Sequence, residues 1–178
     1  MSVMPIDLAP VVAATARWLA RAFPSPVSGA FNAALVELQA RQAVTVAAWL
    51  RYPTDMDAEL LTFVGPGGSA RLDWMVGADA DDLQADEHAW RDWVDEVVAS
   101  WAACLLTDPT LAGLAVGRLA TAVQGTGLTA RFRRLLDPDA QDSRAAALLR
   151  HPDLAASIAD LHRDQLHELL DPDVARTG

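Results

Sequence analysis

Apolar residues recur at three- and four-residue intervals along most of this chain, and the departures from that spacing mark its other elements. Leu8, Val11, Val12, Trp18, Leu19 and Ala22 share one face, which predicts a helix from an Asp7 N-cap to about Phe23. Thr15 lies on the same stripe, where its hydroxyl can bond a carbonyl one turn back. Pro24-Ser25-Pro26 stops this helix, and Ser28 or Asn32 starts a second with Phe31, Leu35 and Leu38 on one stripe. Residues 43–50 are ambiguous: Val44, Thr45, Val46 and Trp49 favour a strand, whereas continuity with the preceding pattern favours a longer helix. The expectation is a strand ending at Tyr52-Pro53. Residues 60–64 and 70–76 flank Gly65-Pro66-Gly67-Gly68-Ser69 and predict a β-hairpin, with Leu72, Trp74 and Val76 on one side of its second strand.

From Asp86 the helical period returns in its strongest form. Trp90, Trp93, Val94, Val97, Val98, Trp101 and Leu105 line one side, and Arg91, Asp92, Asp95 and Glu96 the other. Pro109 either ends this helix or opens the next. The small, apolar residues 111–123 predict a short helix and then a last strand over Gly117–Val123. Beyond them, residues 128–136, 140–150 and 153–170 are helical in pattern, each stretch closing near an Asp- or His-Pro-Asp triplet. The expected architecture is therefore α+β: an N-terminal helix and a long central helix packed on a small antiparallel sheet. A core domain spans 1–127 and a helical extension 128–178; an all-α fold is the alternative.

Composition adds size and charge. The chain has 178 residues, 52% of them hydrophobic, which is enough to form a core without disulfide or metal. The single cysteine, Cys104, lies in an apolar run and reads as a buried small hydrophobe. The fourteen cationic side chains are all arginine, and the net charge of −10 is unevenly distributed. Residues 73–108 carry ten acids against Arg91 alone, whereas residues 109–136 carry four arginines and no acid. Overall acidity argues against duplex nucleic acid, whose binding requires phosphate neutralisation. Opposite local charges favour contacts between subunits, with Asp79, Asp81, Asp82 and Asp86 on one side and Arg118, Arg131, Arg133 and Arg134 on the other as candidate partner contacts. Apolar runs interrupted by arginine predict no membrane span.

The candidate chemistry is sparse. Asp79-Ala80-Asp81-Asp82 opens like a calcium loop, but Leu83, Gln84 and Trp90 occupy positions needing an oxygen ligand, glycine and glutamate. His88 and Asp92 are one turn apart, and no His-Glu-x-x-His or paired Cys-x-x-Cys accompanies them. The glycine-rich loop at 65–69 lacks the Gly-Lys-Ser/Thr of a phosphate loop. No catalytic residue, cofactor or metal is expected, and the chain reads as a non-enzyme.

The element order and the segment Asp108-Pro109-Thr110-Leu111-Ala112-Gly113-Leu114 resemble the tail-terminator (tail-completion) proteins of long-tailed phages. In that family a helix runs into Asp-Pro-Thr-Leu-Gly-Gly-Leu before a final strand; Ala112 is the one departure within the segment, and the helical residues 128–178 depart from the family pattern. The resemblance covers residues 7–127. It implies a structural subunit that forms a homo-oligomeric ring between tail tube and head-side connector, cytoplasmic during assembly and then part of the virion. A helical protein-binding module, a maturation chaperone or an inhibitor, is the alternative.

Overall fold

A computed structural model describes residues 29–51, 85–122, 128–147 and 149–171, with backbone only for residues 85–95, 122 and 128. Eight helices account for nearly all of them: α1 (Ala30–Arg51), α2 (Ala85–Thr107), α3 (Pro109–Ala122), α4 (Leu128–Arg131), α5 (Arg133–Leu136), α6 (Ala140–Ala145), α7 (Pro152–Ala159) and α8 (Arg163–Leu170). No strand occurs among the described residues, which overturns the α+β expectation in favour of a helical architecture.

Two expected strands are helical for identifiable reasons. Residues 43–50 continue α1, where Ala43, Val44, Ala47, Ala48 and Leu50 are buried against neighbouring helices. Burial of a whole face outweighs the small helix penalty of Val and Thr. The Thr45 hydroxyl also donates to the Arg41 carbonyl at 2.7 Å, the one-turn-back bond that lets threonine sit inside a helix. Gly117 through Ala122 lie in α3, whose inner stripe of Leu111, Ala112, Ala115, Val116 and Leu119 follows a helical period despite two glycines. The stripe expected on α1 is also corrected. Leu35 is buried, but Phe31 and Leu38 face outward, and the inner face is instead Leu35, Val36, Gln39 and Ala40. The N-terminal helix, the 60–76 hairpin and the side chains of Trp90 and Trp93 lie outside the described residues.

Helix α2 is the axis of the structure. It packs against α1 on one side and α7 on another, with α3 and α8 also in contact. From Val97 to Leu106 all its residues except Ala99 are buried, including Trp101 and Cys104. Residues from Phe132 onward share this core: Phe132, Leu135, Leu149, Ala155, Ala159 and Leu166 join one cluster with α1, α2 and α3. The helical C-terminal portion thus packs directly on the preceding helices.

Two polar joints organise the turns. At the first, the Asp108 N–H donates to the Cys104 carbonyl (2.9 Å), closing α2, while its carboxylate accepts from the N–H groups of Thr110 and Leu111 (2.9 and 3.0 Å), opening α3. Pro109 supplies the first helical residue without leaving an N–H unpaired, and the chain bends by 118°. Pro109 therefore both ends one helix and begins another. At the second joint, fully buried Ser100 donates to the Ala159 carbonyl (3.0 Å) and accepts from the His162 N–H (2.9 Å). The Trp101 indole N–H donates to the His162 carbonyl (3.2 Å), and the His162 ring meets Glu96 at 2.8 Å. One turn of α2 thereby fixes the α7–α8 turn.

The outer side of α3 offers a direct test of local energetics. A Cβ added to Gly113 or Gly117 would meet nothing within 4 Å, so nothing among the described residues requires glycine there. Gly113→Ala and Gly117→Ala should each stabilise the protein by about 0.5–1 kcal/mol through lower unfolded-state entropy, read as a rise in urea midpoint at unchanged slope.

Candidate interaction surface

The Arg131–Arg134 cluster lies where α4 gives way to α5. Phe132 is buried and anchors the break, so the flanking arginines point to different surroundings. Arg131 remains exposed; its guanidinium lies 6.0 Å from the centroid of the Trp49 ring, and its carbonyl accepts from Gln42 Nε2 at 3.0 Å. Arg133 and Arg134 turn to a buried carboxylate. Asp142, 4% exposed, takes Arg133 Nη2 at 3.0 Å on one oxygen and Arg134 Nε at 3.3 Å on the other.

Asp142 also belongs to the start of α6. Asp139 accepts from the N–H groups of Gln141 and Asp142, while Asp142 accepts from the Asp139 N–H, a reciprocal capping box placed just after Pro138. The backbone N–H of Asp142 holds the Asp139 carboxyl below its ordinary range. Behind this box, Arg150 donates to the carbonyls of Leu135 (3.0 Å) and Arg134 (3.3 Å). A guanidinium only donates, so the buried Gln39 amide turns its oxygen to Arg150 and accepts from Nε and Nη2 at 2.6 and 2.7 Å. Burial pushes Arg150 below the ordinary arginine range. The network ties α1, α5, α6 and the turn after α6 into one polar seam.

The outward face is different in kind. On α3, Leu114 is 57% exposed, with Gly113, Gly117 and Arg118 beside it on the same side. Leu161, in the turn before α8, is 55% exposed and Leu169 is 40% exposed. These leucines lie among polar residues and open ground rather than over the core.

The residues singled out from the sequence separate accordingly. Arg118 and Arg131 lie on the surface, while Arg133 and Arg134 are brought together by Asp142. Asp79, Asp81 and Asp82 lie outside the described residues, as does the side chain of Asp86 in the first turn of α2. Gln39, Asp142 and Arg150 were not singled out. Asp139-x-x-Asp142 after a proline signals a helix start, but nothing in the sequence signals that its second carboxylate is buried. Among the described residues no three His, Cys, Asp or Glu side chains converge as a metal site requires, and no single helix is long and apolar enough to cross a membrane. No family model, curated protein or solved structure matches this chain.

Two expected outcomes test these assignments. Asp142→Ala leaves two guanidiniums without their carboxylate and half of the capping box missing; a loss of about 2–3 kcal/mol is expected, discounted because Arg133 is half exposed, and urea unfolding measures it. Cys104 is fully buried with its sulfur 3.4 Å from the Ala159 carbonyl, and burial pushes its thiol from an ordinary 9.0 up to about 11. Because the folded state resists ionisation, this contribution is complete below about pH 9 and is lost as pH rises from there to about 11. The expected loss is about 2–3 kcal/mol, measured as a steeper fall in alkaline stability for the natural protein than for Cys104→Ala.

Proposed function

We propose that this chain is a non-enzymatic helical protein-binding module that receives its partner on the outer face of α3. The observation that carries this reading is Leu114, more than half exposed between two glycines whose absent side chains would meet open space. Each glycine costs a helix close to 1 kcal/mol relative to alanine. No contact within the described molecule offsets that cost, whereas a partner backbone approaching closely would.

The tail-terminator resemblance is a narrower version of an assembly role. Its motif, Asp108 to Leu114, forms the α2–α3 joint, and the strand that should follow is helix as far as Ala122. A helical fold fits neither reading specifically, and the protein-binding reading rests on the exposed α3 surface alone.

A photoreactive amino acid at position 114, introduced in the cell, tests the proposal, with the exposed position 143 on α6 as control. Position 114 is expected to give a discrete cross-linked species, identified by mass spectrometry, that position 143 does not. Identical patterns from the two positions, or no adduct at 114, would sink the reading.

A further inference from the structure

Two exposed faces of the described molecule place bare leucines among charges of opposite sign. On α3, Leu114 is followed one turn later by Arg118, which has no ion-pair partner among the described residues. From Pro109 to Leu136 the chain holds four arginines and no acid. Two of the four, Arg133 and Arg134, are already engaged by Asp142, and Arg131 lies over the Trp49 ring, which leaves Arg118 to face outward on α3. Around α8 the sign reverses. Leu161 and Leu169 are exposed beside the exposed Asp164 and Glu168. From residue 152 to 171 there are five acids against Arg163 alone, and that guanidinium pairs with Asp160 at 3.1 Å.

We propose that the α3 face of one copy of this chain docks on the α8 face of a second copy. Leucine meets leucine at the centre of the contact, and Arg118 meets Asp164 and Glu168 at its rim, the usual arrangement of an apolar centre with a polar edge. The inference rests on the protein-binding reading above and adds the identity of the partner. A second copy fits because one chain carries both halves of the complementary pair, yet leaves both sets of leucines exposed and so does not satisfy them internally. Opposed charges also orient the encounter and penalise like-with-like docking.

Sedimentation velocity on the purified full chain tests this. At low salt and concentrations of order 100 µM, which detect a Kd up to roughly that value, an assembly larger than the monomer is expected. It should dissociate toward monomer near 1 M salt, where the screening length falls to about 3 Å. Arg118→Glu and Glu168→Arg should each weaken self-association roughly ten-fold, about 1.4 kcal/mol, with unchanged circular dichroism and thermal midpoint. Mixed one to one, the two variants should associate again, because each retains the face that the other has lost. A monomer at low salt, or an assembly indifferent to both charge reversals, overturns the proposal. A different protein trapped at position 114 beside a monomeric chain would leave the binding-module reading standing and remove the second copy as its partner.

Discussion

From Val97 to Leu106, helix α2 is enclosed almost all round, and four of the other described helices pack against it. A helix with one apolar stripe needs one neighbour; a helix apolar around most of its circumference needs several. Among the described residues, α1 covers one side, α7 another, and α3 and α8 also pack against it. Small residues make the close packing possible: Ala102, Ala103 and Cys104 sit between the larger Trp101 and Leu105. Enclosure brings a second constraint. The turn between α7 and α8 lies against this dry surface, where its backbone groups would otherwise lack partners. Ser100 and Trp101 supply those partners, so the same turn of helix that forms the core also holds the C-terminal helices on it.

The polar interior repeats this division of labour elsewhere. The seam of Gln39, Asp142 and Arg150 connects α1 to the short C-terminal helices, which are individually too brief to be stable alone. Apolar contacts supply the bulk of the burial, but they tolerate sliding; a bidentate bond between Gln39 and Arg150 does not. Buried charge is weak support for stability in itself, and its better-attested role is fixing register. That role suits a region built from helices of four to eight residues.

Much of this was legible from spacing. The long central helix, its stop at Pro109 and the helical character of the C-terminal portion all followed from period and proline placement. Two strands were misplaced because residue type was weighed without its surroundings. Val44, Thr45 and Val46 favour extended backbone in isolation, but α1 buries a whole face through them. Gly117 weakens a helix locally, yet α3 holds because its opposite side buries Leu111, Val116 and Leu119. The arginine cluster was visible as a basic patch. What no local pattern revealed was the carboxylate that claims half of it, since Asp142 becomes buried only through contacts made in three dimensions.

The joint at Asp108 has a mechanical consequence. A single residue caps both α2 and α3, with no slack between the last carbonyl it satisfies in one helix and the first amides it satisfies in the next. The heading of α3 is consequently dictated by backbone geometry, like the arm of a set square. Whatever alights on its outer edge encounters a platform whose tilt is inherited from the deepest part of the molecule.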